Sequence, residues 1–228
     1  MEYLVVRAGD SRSFPEQHVL IDNAHARGEV AVVIGNRVAA GLEQLGKLDQ
    51  YKAVIVELGT ECLGVYTGEV RGEEGSNVLG FARFRLGADA ASNLVELVRQ
   101  PATRQSAIDA ARQVFESAGL QIAVCTDAPG RIIDRLIRPY YNAALRRLDE
   151  GLASASDMDT TLKLGLGYPE GPIGLLERSG LHHHFDVTQA LYEAIGDPAY
   201  APARRARVAK QRSTPQQNAA APDSSPER

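Results

Sequence analysis

The sequence has little of what several common functions require. It contains only two cysteines, Cys62 and Cys125, and no charged segment followed by an apolar run precedes the first predicted strand. Its 25 basic and 29 acidic residues are interspersed and give a formal net charge of -4, so no surface tract is expected to attract nucleic acid. No apolar run approaches the roughly 20 residues that cross a bilayer. We therefore expect a cytoplasmic globular protein that binds neither nucleic acid nor membrane.

A glycine-rich phosphate-binding turn is also missing. No G-x-G-x-x-G segment occurs, which is the arrangement that lets a pyrophosphate reach a helix N-terminus. The nearest substitute is Gly35, which opens a helix predicted over Arg37 to Leu45. Glu57 ends the next predicted strand about 20 residues later, where a ribose-binding acid would lie. A single glycine is typical of an ordinary β-α turn, so we predict no cofactor-binding residue.

The histidines and cysteines indicate no stronger site. His182, His183 and His184 are consecutive, and neighbouring side chains on a helix point about 100° apart, so they cannot all face one metal ion. We expect a solvent-facing helix start there and no metal site. Cys62 has no neighbouring histidine in the sequence, so a thiol nucleophile is not supported.

The first half of the chain consists of short β-branched runs separated by glycine and polar turns, which is typical of buried strands. The helix between two of these runs predicts a β-α-β unit with parallel strands. A turn or exposed hairpin is predicted over Gly64 to Ser76, and Thr103 is predicted to cap the last helix before a final strand. The predicted strands are Tyr3 to Val6, His18 to Ile21, Val30 to Ile34, Ala53 to Glu57, Val78 to Phe84, Asn93 to Val98 and Gln121 to Cys125.

After the Asp127 to Gly130 turn the pattern changes to long helices, as expected at a domain boundary. The helix from Arg131 has a double-width apolar face, a predicted kink at Pro139 and a stop at Gly151. Three further helices follow, predicted from Ser156 to Leu164 with Ser156 as the cap, from Ile173 to Arg178, and from Phe185 to Ile195. We predict an incomplete, mostly parallel Rossmann-like α/β domain over 1–126, an all-helical domain over 127–205 and a disordered tail over 206–228.

One separated set of residues is more specific than any single turn. It resembles the 3-hydroxyacyl-CoA dehydrogenase family, in which a strand ends in a D-x-P-G-F-[IV]-x-N-R-[LI] turn and enters a long helix. The matching residues are Asp127, Pro129, Gly130, Ile132, Arg135, Leu136, Pro139, Tyr140, Asn142, Glu150, Gly151, Asp157 to Asp159, Lys163 to Pro169, Gly171 and Pro172. The resemblance covers roughly Val78 to Ala201.

The resemblance implies NAD-dependent oxidation of a 3-hydroxyacyl-CoA to a 3-oxoacyl-CoA. In that family a histidine takes the hydroxyl proton, a glutamate partners the histidine, and an asparagine fixes the substrate oxygen. On this chain Glu96 matches the glutamate, Asp134 stands at the asparagine, and Ala82 stands at the histidine. Glu96 and Asp134 are therefore the implied catalytic positions. A carboxylate at 134 would oppose a developing alkoxide unless it were protonated or paired with Arg131 or Arg135.

Three hypotheses follow for function. The first is a 3-hydroxyacyl-CoA dehydrogenase-like protein of fatty acyl-CoA metabolism with impaired or lost catalysis, in which NAD, the family's cofactor, is doubtful. The second is a non-catalytic module that binds acyl-CoA or dimerises and partners a complete dehydrogenase. A homodimer through the C-terminal helices is implied in either case. The third is a 6-phosphogluconate-like or hydroxyisobutyrate-like dehydrogenase, which fits poorly because Arg131 to Glu150 contains no lysine.

Arginines on the long helix leave one further alternative open. They could meet the phosphates of coenzyme A, but charges on the outer face of an amphipathic helix are usually solvated, and we favour the solvated interpretation. The residues concerned are Arg131, Arg135, Arg138, Arg146 and Arg147.

Overall fold

Six strands form a single sheet in the computed structural model, which describes residues 1–69 and 76–213. All neighbouring strands are parallel except β4 and β5, which are antiparallel. The strands are β1 (Tyr3–Arg7), β2 (Val30–Ile34), β3 (Ala53–Glu57), β4 (Val78–Arg83), β5 (Leu94–Arg99) and β6 (Gln121–Thr126). The mostly parallel α/β architecture expected from the sequence is therefore confirmed.

The two central strands explain why the sheet is a buried layer. Every residue of β2 and β3 is buried, as expected when helices cover both faces of a parallel sheet. On one face α4 (Gln105–Ser117) packs Phe115 against Phe81, with ring centroids 5.1 Å apart. On the other face α2 (Val38–Leu45) packs Val38 into a cluster with Val33.

The order of the strands across the sheet is the same as their order along the chain. It runs β1-β2-β3-β4-β5-β6 without a reversal in the described residues. In doubly wound sheets the ligand crevice lies where the strand order reverses. The described sheet therefore has no such switch point, although the carboxyl ends of β1, β2 and β3 still meet at one edge.

The second half of the described chain is helical. Its longest helix, α5, continues through Pro139 and packs against α7 and α9 around Leu145, Ile173 and Leu176. None of the helices in the described residues is both long and apolar enough to span a membrane. The helices are α5 (Ile133–Asp149), α6 (Ala155–Leu166), α7 (Pro172–Ser179), α8 (Leu181–Ile195) and α9 (Arg204–Ser213).

Several sequence-based predictions of local structure were wrong, and the hydrogen bonds at helix N-termini explain where these helices begin. The strand predicted over His18 to Ile21 is a short helix, α1 (Val19–Asp22), because the His18 ring accepts a hydrogen bond from the Leu20 amide. Helix α6 is capped by Ser154 rather than Ser156, and it continues past Leu164 to Leu166. Thr103 does not cap α4, because its hydroxyl accepts from the Gln100 amide and Arg104 takes the cap position.

Two predicted segments fall partly on residues that the structure does not describe. Within the turn predicted over Gly64 to Ser76, the first residues form a one-turn helix, α3 (Gly64–Thr67), and 70–75 lie outside the described residues. The predicted tail overlaps α9, so 206–213 are helical rather than disordered. Residues 214–228 lie outside the described part of the chain.

Candidate functional site

The antiparallel pairing of β4 and β5 brings two of the implied site positions together. Ala82 lies directly opposite Glu96 in the ladder, and both residues are buried. The position that the family resemblance assigns to the proton-accepting histidine is thus adjacent to the glutamate that would partner it. The methyl group of Ala82 can neither accept nor donate a proton.

The Glu96 carboxylate is engaged by the start of α5. Its Oε1 atom accepts hydrogen bonds of 2.8 Å from the amides of both Ile132 and Ile133, and its Oε2 atom lies 3.6 Å from Nε of Arg131. An anionic acceptor at a helix N-terminus satisfies amides that have no partner within the helix and complements the helix dipole. Glu96 therefore fixes the long helix onto the sheet.

The Asp134 carboxylate is held by an arginine one turn along α5. Its Oδ1 atom accepts from Nε of Arg138 at 2.7 Å, and the Arg138 side chain is 1% exposed. The partner is therefore neither Arg131 nor Arg135. The expectation that the arginines of this helix are solvated is wrong for Arg138 and also for Arg131, which is 6% exposed.

A buried histidine extends this pair into a chain of polar contacts. Nδ1 of His184 lies 3.1 Å from Nη1 of Arg138, and its Nε2 lies 3.0 Å from Oδ1 of Asn142. Because the guanidinium can only donate, Nδ1 accepts and Nε2–H donates. Burial, and then the charge of Arg138, lowers the pKa of His184 to about 3, so the ring is neutral near pH 7.

His184 and Arg138 lie in the polar cluster around Asp134, a placement that sequence reasoning did not predict. The expected solvent-facing start of α8 is wrong for His184, which is 1% exposed, whereas His183 is exposed. The four-residue spacing of Asp134 and Arg138 is a helical ion-pair signal that could have found that pair. No local signal marks His184, because its partners lie 42 and 46 residues away in the sequence.

At the carboxyl ends of β1, β2 and β3 lies a crevice of about 250 Å³. Oε1 of Glu57 accepts from the Ser13 amide at 2.6 Å and Oε2 accepts from the Gly35 amide at 2.7 Å. The crevice also contains the acidic residues Asp10 and Glu61. The Gly35 amide, which could meet a phosphate, is thus bonded to the Glu57 carboxylate, which could meet a ribose. These residues therefore do not fit the pyrophosphate and ribose of a dinucleotide.

A second, much smaller cavity of about 20 Å³ lies beside Ala82, Glu96 and Asp134. It is lined by arginines from three parts of the chain, and we call it the arginine cavity. Its arginines are Arg12, Arg83, Arg85 and Arg131.

A third cavity is a groove of about 430 Å³ in the helical half, which we call the tyrosine groove. Its walls are Tyr140 and Tyr141 of α5 and Tyr168 and Pro169 beyond α6, together with Leu175 of α7. Burial, and then Tyr168, raises the pKa of Tyr140 to about 12, and its hydroxyl has no hydrogen-bond partner among the described residues.

Neither a metal site nor a reactive thiol emerges from the residues that the structure describes. Within 1–69 and 76–213 no three His, Cys, Asp or Glu side chains are grouped so that they could hold an ion. Both cysteines are free, and burial raises the pKa of each thiol, that of Cys125 to about 11. At neutral pH these thiols are protonated and therefore poor nucleophiles.

Residues 130–220 match the family model described as 3-hydroxyacyl-CoA dehydrogenase, C-terminal domain. The helical half of the chain therefore belongs to the family of 3-hydroxyacyl-CoA dehydrogenase C-terminal domains. The chain is 35% identical over 109 residues to a 3-hydroxybutyryl-CoA dehydrogenase of Bradyrhizobium diazoefficiens, covering 48% of this chain and 37% of that protein. It is 41% identical over 88 residues to the mitochondrial hydroxyacyl-coenzyme A dehydrogenase of Homo sapiens, covering 39% and 28%. The match thus spans well under half the length of these relatives.

Solved structures extend the likeness to the sheet. The (S)-3-hydroxybutyryl-CoA dehydrogenase of Ralstonia eutropha has a TM-score of 0.65 at 23% identity, covering 79% of this chain and 64% of that one. The 3-hydroxybutyryl-CoA dehydrogenase of Escherichia coli has a TM-score of 0.67 at 23% identity, covering 86% and 41%. At this level of identity the likeness shows the fold alone, a Rossmann-type sheet followed by a helical domain.

Proposed function

We propose that this 3-hydroxyacyl-CoA dehydrogenase-like protein of fatty acyl-CoA metabolism has impaired or lost catalysis. The observation that carries the proposal is the pairing of Ala82 with Glu96, in which the glutamate has no histidine to orient and bonds the Ile132 and Ile133 amides instead. Hydride leaves easily only from a developing alkoxide, so the reaction needs a group that takes the hydroxyl proton.

None of the neighbouring groups that the structure describes replaces the missing base. His184 is the nearest histidine in the polar chain around Asp134, but both of its ring nitrogens are bonded and its low pKa makes it a weak base. The Asp134 carboxylate is bonded to Arg138. An anion at this position favours a neutral hydroxyl over the alkoxide from which hydride would leave.

The proposal extends to the binding of NAD. The Gly35 amide and the Glu57 carboxylate are bonded to each other, and the described sheet has no reversal of strand order at which a dinucleotide would lie. We propose that this chain does not hold NAD at the crevice of β1, β2 and β3. The cytoplasmic location expected from the sequence stays a prediction.

The test follows NADH absorbance after mixing the purified chain with NAD and 3-hydroxybutyryl-CoA, with a complete dehydrogenase as the positive control. We expect no turnover above the buffer blank, and no heat of NAD binding in calorimetry. The Ala82→His variant should also remain inactive, because Glu96 is already bound to α5. Turnover by the unaltered chain would overturn the proposal.

A second candidate function is favoured by the tyrosine groove. Its volume of about 430 Å³ is in the range of small-molecule pockets, and its walls are mainly aromatic and aliphatic. A non-catalytic module could bind the acyl chain of an acyl-CoA there and partner a complete dehydrogenase. Calorimetry should then show tighter binding of a long-chain acyl-CoA than of free coenzyme A, and Leu175→Glu should abolish the difference. Equal affinity for both ligands would exclude this function.

A further inference from the structure

Arg131 is a buried cation whose donors are only partly satisfied. Its side chain is 4% exposed, and its Nη2 atom donates to the carbonyl of Gly59 at 2.6 Å. Among the described residues its Nη1 and Nε atoms have no hydrogen-bond partner, and Nε reaches Glu96 only as an ion pair at 3.6 Å. Leaving charged donors unbonded away from water is costly, so an unmet donor of this kind indicates a missing acceptor.

The backbone at Arg131 is also strained. Its φ is 52°, and it is the one non-glycine residue with positive φ in the described part of the chain. Such a conformation costs on the order of 1 kcal/mol or more, and it persists only where the surroundings enforce it. The turn between Gly130 and α5 therefore holds Arg131, which lines the arginine cavity, with its side chain away from solvent.

The charges around the arginine cavity do not balance. Among the described residues, four arginines line it, against the two acidic residues Glu96 and Asp134. Asp134 is already paired with Arg138, a fifth guanidinium, and Glu96 is bonded to helix amides. The described residues that line the cavity thus carry more positive than negative charge.

The other lining arginines bond to neutral carbonyls rather than to acids. Arg83 donates to the carbonyls of Ser13, Ala91 and Ser92, Arg85 to those of Ala88 and Asp89, and Arg12 to that of Arg85. Carbonyl acceptors satisfy the donors geometrically but leave the net charge in place.

We infer that the arginine cavity binds a small monovalent anion, such as chloride or formate, against Nη1 of Arg131. The cavity volume of about 20 Å³ admits one ion little larger than a water molecule and excludes a phosphate group or an acyl chain. Arg12 is exposed, which gives the cavity an edge open to solvent. This site goes beyond the proposed function and does not depend on it, because the anion can bind whether or not acyl-CoA does.

The experiment measures thermal unfolding of the whole chain against chloride concentration, with sodium gluconate keeping the ionic strength constant. A ligand that binds the folded state raises Tm, so we expect a saturable rise of roughly 2 to 4 °C with chloride or formate replacing gluconate. Arg131→Gln should abolish the rise. Arg135→Gln, which removes an exposed arginine from the adjoining helix α5, should leave it unchanged.

Chloride-35 line broadening gives a second readout that does not rely on a folded variant. The unaltered chain should broaden the chloride signal, and formate should reverse the broadening by competition. A rise in Tm that persists in Arg131→Gln would overturn the inference. The absence of both the Tm rise and the line broadening would also overturn it and would mean that the cavity holds water only.

Discussion

The His184 ring is buried and neutral in the helical half of the protein, and this lowers the stability of the folded state at acidic pH. Burial, and then the charge of Arg138, sets its pKa at about 3, whereas a histidine in an unfolded chain titrates near 6.5. Between these values the unfolded chain binds a proton that the folded chain excludes, so stability falls as the pH is lowered. We expect a loss of roughly 2 to 3 kcal/mol between pH 6.5 and 4.5, measured by urea unfolding.

A matched pair of variants isolates this titration. His184→Gln removes the buried ring, so its free energy of unfolding should change less with pH across that window, although its stability at pH 7 is lower. His25→Gln removes an exposed histidine and should keep the slope of the unaltered chain. The assignment fails if the slopes for the His184 variant and the unaltered chain coincide.

Among the helices, α7 depends on a carboxylate from α6. Oδ1 of Asp159 accepts from the Ile173 amide at 2.9 Å and Oδ2 from the Gly174 amide at 2.8 Å. A Cβ on Gly171 would overlap the Asp159 side chain. Gly171→Ala should therefore displace this cap and cost about 2 to 3 kcal/mol, measured by chemical denaturation.

The control is another glycine on the neighbouring helix. Gly165 lies within α6, and nothing stands within 4 Å of a Cβ built on it. Gly165→Ala should stabilise the protein by about 0.5 to 1 kcal/mol, because alanine favours the helix. A similar loss of unfolding free energy in both variants would mean that the Asp159 cap does not explain the effect of Gly171→Ala.

The long helix α5 is attached to the sheet through Glu96, and removing that charge should be costly. Glu96→Gln leaves a neutral acceptor for the Ile132 and Ile133 amides and takes the counter-ion from Arg131. We expect a loss of about 2 to 3 kcal/mol in urea unfolding. Glu116→Gln breaks an exposed pair with Arg112 and should stay within about 0.5 kcal/mol of the unaltered chain. Equal losses would argue against a buried role for Glu96.

For the whole molecule, the sequence predicts those elements whose residue pattern is continuous along the chain. The bounds of β2 and β3 follow from unbroken apolar runs, and the turn before α5 follows from a spaced motif that includes Pro129 and Gly130. The hydrogen bonds that occupy the carboxylates of the candidate site join residues that are far apart in the sequence. Glu57 meets Gly35 and Ser13 across 22 and 44 positions, and no spacing rule encodes such contacts. The sequence therefore predicts the six strands, with one wrong strand at His18 to Ile21, but it does not predict which carboxylates are already bonded.

The helical domain should pair with a second copy of the chain. No residue of α6 is buried, while Leu164 and Leu166 are 82% and 65% exposed and Leu152 just before the helix is 68% exposed. Large apolar side chains exposed on a helix that buries none of its residues indicate an interaction surface. Light scattering should give twice the chain mass of 24.6 kDa, and Leu164→Glu should give the single mass. Val65→Glu, at an equally exposed site in the sheet domain, should leave the dimer intact. A single-chain mass for the unaltered protein at all concentrations would contradict this.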